Sequence, residues 1–161
     1  MKFIRNTFIA AAAMLCAATL PAFAKGSETP EGKVQATYPA ISADTYEKFG
    51  GKVGVDNWVV ALFRNIMNDN RINYIFAAHG KVDRQIRLNQ ELVAVMLGAP
   101  GVEYHGASMS AAHGEMGITL TQFNAVVEDA YLACDDARTP YHICNQLIAA
   151  LAPFKRSIVT K

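Results

Sequence analysis

The sequence predicts an all-α fold, on three observations. Apolar residues recur at steps of three and four from Ser42 onward. Runs of Val, Ile and Thr alternating with period two are missing, so no sheet is expected. Capping residues, glycines and prolines punctuate the helical runs.

The elements follow in chain order. Ser42-Ala43-Asp44-Thr45-Tyr46-Glu47 reads as a short helix start, with Asp44 and Glu47 at capping-box spacing, and Gly50-Gly51 stops it. Val55, Val59, Leu62, Phe63 and Ile66 form one face of a helix of about four turns. Asn68-Asp69-Asn70 breaks that helix, Arg71–Phe76 forms one further turn, and Ala77–Lys81 is a loop. A third long helix is expected over Val82–Leu97, with Leu88, Leu92, Val95 and Met96 inward, ended by Gly98-Ala99-Pro100-Gly101. Val102–Ser108 is irregular, and Met109–His113 makes a short helix closed by Gly114 and Gly117. Thr119-Leu120-Thr121-Gln122 is a capping box. It opens a helix with Phe123, Val126, Val127, Ala130, Tyr131 and Cys134 inward. Pro140 opens the last helix, whose stripe is Ile143, Leu147, Leu151, Phe154 and Ile158.

The first 24 residues read as a secretory signal rather than as part of the fold. Lys2 and Arg5 precede an uncharged apolar run, Phe8–Leu20, and Ala22-Phe23-Ala24 has the small-x-small form of a cleavage site. An uncleaved anchor is the alternative, but the run is shorter than the roughly 20 residues that span a bilayer. Leu15 before Cys16 fits lipoprotein processing poorly. Residues 25–44, with Gly26, Pro30, Gly32 and Pro39, are expected to be a flexible leader, followed by one domain over 45–161. Cleavage removes Lys2 and Arg5 from 15 basic residues, leaving 13 against 14 acidic. Without a positive field, nucleic acid is not an expected partner, and no membrane association is expected after cleavage. In an oxidising compartment Cys134 and Cys144 either form a bridge, worth about 2–3 kcal/mol for so short a loop, or remain two small buried side chains.

No His-Glu-x-x-His, Cys-x-x-Cys, phosphate loop or Gly-x-Ser-x-Gly elbow is present, so zinc, covalent c-type haem, nucleotide and hydrolase chemistry have no visible site. Of the histidines His79, His105, His113 and His142, His113 stands out. Gly114 turns the chain after it, and an apolar segment, Met116 to Ile118, follows. A neutral imidazole on a short element, one ring nitrogen on iron and the other donating to a carbonyl, is the placement a haem ligand needs. The competing reading of a lone histidine near a helix end is a cap or surface residue.

Four further motifs occur in order around it. They are Tyr46-Glu47-Lys48-Phe49-Gly50-Gly51, Asp69-Asn70-Arg71-Ile72-x-x-x-Phe76, Tyr104-His105-Gly106-x-x-Met109-x-x-x-His113 and Gly117-Ile118-Thr119-x-x-x-Phe123. In order and spacing the chain resembles the group 1 truncated haemoglobins over roughly residues 45–160. The tail from Leu151 to Val159 resembles an exported, periplasmic branch of them.

That resemblance implies a two-over-two helical sandwich around haem b (iron protoporphyrin IX), with His113 as the proximal iron ligand. It implies diatomic ligands (O2, NO or CO) on the opposite face, and an electron donor for any turnover. It brings Phe76, Tyr104 and Met109 to the pocket. Phe63 falls where many members carry a tyrosine, and a phenyl ring cannot donate a hydrogen bond. Gln85 and Asn89, four apart on one helix face, are the candidate distal amides, able to donate to a bound ligand. A one-residue slip would bring Ile86 or Leu88 inward instead. His79 reads as a loop histidine or an internal sixth ligand, and His105 and His142 as exposed. Lys81, Arg84 and Arg87 lie near where propionates would emerge, or on a solvated face. Nitric oxide dioxygenation and peroxidase or electron-transfer activity are both compatible with such a protein. A cofactor-free helical adaptor or chaperone is the reading from another class, and it has no need of His113.

Overall fold

The longest helix organises the fold because its buried stripe is the richest in large apolar groups. The computed structural model describes residues 36–42 and 44–161; the signal reading of residues 1–24 lies outside them. Helices run α1 (Thr45–Lys48), α2 (Gly51–Asn68), α3 (Asn73–Ala78), α4 (Val82–Leu97), α5 (Met109–His113), α6 (Leu120–Asp136), α7 (Tyr141–Leu151) and α8 (Lys155–Ile158). A 3-10 turn, Ala152–Phe154, precedes α8. Among the described residues there is no strand, only an isolated bridge between Ile118 and Val159.

The expected stripe of α2, Val55, Val59, Leu62, Phe63 and Ile66, is buried, and Trp58 and Ala61 widen it. α2 packs on α6 and on α4, α6 pairs with α7, and α4 also meets α7. This is a two-over-two helical sandwich, with α2 and α4 against α6 and α7. Each large side chain on the α2 stripe stabilises the fold by roughly 1.5–3 kcal/mol of burial. Truncating one, as in Phe63→Ala, would cost about 3–5 kcal/mol. Cys134 on α6 and Cys144 on α7 are joined by a disulfide, Cα–Cα 6.2 Å, and the Trp58 indole N–H points at Cys134 Sγ from 3.1 Å.

Punctuation places most boundaries. α4 and α5 have the expected limits, and α6 opens with the full capping box. The Gln122 N–H donates to Thr119 Oγ1 (3.3 Å) and the Thr119 N–H to Gln122 Oε1 (2.9 Å). Gly98, at φ +87°, ends α4, and a Cβ there would stand 2.9 Å from the Ser42 carbonyl oxygen, so only glycine fits.

Five expectations are corrected. No capping box opens α1, because the Asp44 carboxylate is taken by Ser42 Oγ (2.8 Å) and by Lys48. α3 starts at Asn73 rather than Arg71, because the Asp69 carboxylate holds the Arg71 N–H (2.9 Å) and guanidinium in a turn. The buried face of α6 is Ala125, Asp129, Ala130, Ala133 and Cys134, while Phe123, Val126, Val127 and Tyr131 are half-buried on the adjoining flank. Three alanines let α6 lie close on α2, and a hydrophobicity pattern weighted to large residues points past them. The last helix breaks at Ala152–Phe154, because Pro153 has no N–H and cannot continue it. The leader is packed from Ala36 to Ser42: Tyr38 enters an apolar cluster and the Ile41 N–H donates to the Met96 carbonyl (2.8 Å).

α4 has two buried faces because it stands between two clusters. Val93, Ala94 and Leu97 join the main core with the α2 stripe. Leu92 and Met96 join a second cluster with Tyr104, on which Leu88, Val95 and Met109 pack half-buried.

Candidate functional site

His113 ends α5, a five-residue helix started by Ser108, whose hydroxyl accepts from the Ala111 N–H (3.3 Å). A helix this short does not hold itself together in water, so its position is set by what it packs against. Gly114 begins the turn that leads to the capping box of α6. The His113 Nδ1–H donates to the Met109 carbonyl one turn back (2.9 Å). That bond fixes the ring and leaves Nε2 with its lone pair. Burial lowers the pKa of His113, and the bond to Met109 opposes this only in part, so the neutral imidazole is favoured. A fixed, neutral ring with one free nitrogen, its other nitrogen bonded to a carbonyl, is the donor chemistry iron asks of a proximal histidine. Among the described residues no cluster of three or more His, Cys, Asp or Glu could hold a bare metal ion.

The sequence-derived residues fall into two groups, one on each side of α4. In the first, Phe63 is buried and meets Phe76 edge to face, ring centroids 5.9 Å apart. Gln85 Nε2 donates to the Phe76 carbonyl (3.0 Å), which ties the start of α4 to α3. Asn89 Nδ2 donates to the Gln85 carbonyl (2.9 Å). Both amides are half-buried, and each keeps a second N–H beyond the bond to backbone. Ile86 packs on the main core and Leu88 on the second cluster.

The second group is Tyr104, Met109 and His113. Tyr104 is buried, its hydroxyl donates to the Ala107 carbonyl (3.0 Å), and its pKa is pushed up to about 12, chiefly by desolvation. Met109 packs on the Leu92, Met96 and Tyr104 cluster.

The remaining histidines stand apart from these groups. His79 is exposed at the end of α3, and His142 is exposed on α7. His105 is not exposed as expected. Its N–H donates to Glu91 Oε2 (2.9 Å) and its Nδ1 lies 3.2 Å from the same oxygen, which pins the irregular loop to α4. Arg87 pairs with Glu91 at 3.2 Å, and Lys81 is exposed. Two surface hollows of about 420 and 240 Å³ lie elsewhere. One is bordered by Asp56, Arg64 and Asp136, the other by Tyr46, Lys52 and Glu91.

Sequence reasoning missed two residues. Tyr38 reaches the second cluster from a segment that reads as linker, and its signal is being the lone aromatic in it. Asp129 is buried on α6 with Oδ2 unpartnered, and no spacing marks it.

The arrangement of helices is that of a truncated globin. The truncated haemoglobin of Tetrahymena pyriformis in its Fe(III) form superposes with a TM-score of 0.67 at 21% identity, covering 73% of this chain and 98% of that one. The 2/2 haemoglobin of a Synechococcus species, solved in the cyanomet state with covalently attached haem, gives 0.65 at 21% identity with the same coverage. No family model matches the chain. By sequence, the group 1 truncated haemoglobin of Tetrahymena pyriformis is 27% identical over 116 residues, covering 72% of this chain and 94% of the relative. That of Mycolicibacterium paratuberculosis is 26% identical over 121 residues, covering 75% and 88%. In fold and in sequence the chain is thus similar to group 1 truncated haemoglobins.

Proposed function

We propose that the chain binds haem between its helices, with His113 as the iron ligand, and that it takes diatomic ligands such as O2 or NO on the other face. The observation that carries this reading is the His113 ring: half-buried, its neutral form favoured, bonded through Nδ1 to the Met109 carbonyl and free at Nε2. It stands on a short helix after irregular chain, in a fold whose solved neighbours are truncated haemoglobins. Bound there, haem would supply an iron with one coordination position open to a gas. Phe63 and Phe76 make an apolar, edge-to-face wall on the α2 and α3 side. Gln85 and Asn89 would present the polar edge, each amide oriented by its bond to backbone and holding one N–H for a ligand. Met109 keeps the imidazole from turning.

The haem is taken to be b-type, because the chain has no Cys-x-x-Cys-His for thioether attachment. Export through residues 1–24 to the periplasm fits the Cys134–Cys144 disulfide, since such bridges persist in oxidising compartments. Any catalytic turnover, such as nitric oxide dioxygenation, would draw on an electron donor.

Purification from a haem-supplied host, followed by absorption spectroscopy, tests the reading. An intense Soret band is expected in the parent chain, and His113→Ala should abolish or greatly weaken it. A normal haem spectrum in that variant removes His113 from the iron, and a colourless parent chain that refuses added haemin removes the haem altogether.

A further inference from the structure

The inference rests on the haem reading above and concerns what holds its proximal side. α5 is too short to be stable alone and lies among glycines at 106, 114 and 117. Its register therefore depends on the elements that press on it. From the C-terminal end, α8 packs on α5, and the Thr160 N–H donates to the Ile118 carbonyl (2.9 Å). From the N-terminal end comes the strap Ala36–Ser42, anchored where the Ile41 N–H meets the Met96 carbonyl. Tyr38 on that strap stands edge-on to Phe154 (centroids 5.2 Å) and to Tyr104 (5.5 Å), and packs in the cluster that holds Met109. Its hydroxyl is buried, and the Met109 backbone is the polar group it faces. Met109 is the residue whose carbonyl fixes the His113 ring.

We propose that Tyr38 is a positioning residue for His113. Its ring, wedged between Tyr104 and Phe154, holds the Met109 peptide, and that peptide sets the imidazole. The segment ahead of the first helix is thus part of the proximal machinery, joined to the tail of the chain through Phe154. The ring carries the effect, through its edge-on contacts with Tyr104 and Phe154.

Tyr38→Ala and Tyr38→Phe, made in the full chain, test this. In the haem-loaded ferrous protein, resonance Raman reads the iron–histidine stretch, and transfer to an acceptor globin reads haem loss. Amide exchange at Ala112 and Gly114, bonded to the Ser108 and Ser110 carbonyls, reads α5 directly, with Ala137, the C-cap of α6 bonded to the Ala133 carbonyl, as the internal control. Tyr38→Ala is expected to speed exchange at the two α5 amides and leave Ala137 unchanged. It should shift or broaden the iron–histidine band and release haem roughly 10-fold faster, the scale of losing an outer-shell partner. Tyr38→Phe should restore all three. Should Tyr38→Ala not fold, Tyr38→Leu, which keeps apolar volume without the edge-on rings, serves the same comparison. A haem-loaded chain whose iron–histidine band ignores the loss of the ring overturns the proposal alone. A parent chain that takes up no haem overturns the functional reading and the proposal with it.

Discussion

Reduction of the Cys134–Cys144 disulfide is the perturbation whose size the structure fixes best. The bridge closes a loop of ten residues' separation between α6 and α7. The chain-entropy relation then gives about 2.7 kcal/mol, because the unfolded chain regains the freedom that the link removes. An unfolding entropy of about 2.1 cal/mol/K per residue over the helical domain converts this to a fall in Tm of about 10 °C. Reduction leaves both sulfurs where they are, so no cavity cost is added, whereas a double Cys→Ala variant would lose packing as well. Both cysteines are buried, so the thiols should be generated in denaturant and the chain refolded under reductant. Thermal unfolding by circular dichroism gives the Tm. Trp58 is the single tryptophan, with its indole against Cys134 Sγ, and its emission reports the local change independently. A reduced protein, thiols verified by titration, that melts within roughly 2 °C of the oxidised one would refute the loop argument. The bridge would then constrain residues already close in the unfolded chain.

Three further outcomes are expected. Asp129 is buried with Oδ2 unpartnered, and its pKa is raised, first by desolvation and then by Asp69. A carboxyl whose folded pKa exceeds its unfolded one loses stability as pH rises through the folded value. Asp129→Asn should therefore raise stability at neutral pH by about 1 kcal/mol and change nothing near pH 3. Urea midpoints that keep the parent's pH slope would count against it. Thr119→Ala, which removes one arm of the capping box on α6, should cost about 1 kcal/mol in urea unfolding, and no loss would mean that packing alone starts the helix. Gln85→Leu should release oxygen roughly 5- to 100-fold faster by stopped flow, the worth of one donor in a dry pocket, and an unchanged rate removes Gln85 from the distal side.

The elements legible in the sequence are those fixed by local chemistry. Gly98 stops α4 because its backbone is left-handed and presses on the Ser42 carbonyl, and Thr119-x-x-Gln122 starts α6 because two side chains satisfy two amides. The stripe of α2 was readable because large apolar groups and burial coincide there. What escaped was set by distant contact. The alanine face of α6 is buried through close approach to α2, and small side chains carry little hydrophobic signal. Tyr38 looked like linker because its neighbours are prolines and polar residues, and its partners lie 66 and 116 positions away. His105 read as exposed because Glu91 sits fourteen residues before it, across a turn no local rule connects. At the site, motif order points to His113, while which carbonyl orients it, that of Met109, is set by the turn of α5.

On the proposed haem reading, Phe63 changes how the distal side would work. Its ring is buried against Phe76, so it supplies shape and no donor. Polarity there falls to α4, where the Gln85 amide is already committed to the Phe76 carbonyl. That commitment both spends one N–H and fixes the other, because an amide held at one hydrogen cannot swing freely. The hold on a bound gas would then depend on the connection between α3 and α4, whose loop, His79 to Lys81, sets where Gln85 stands relative to Phe76. On the proposed haem reading, ligand retention would depend on that loop as much as on any pocket side chain, and its length is where retention should be most sensitive to change.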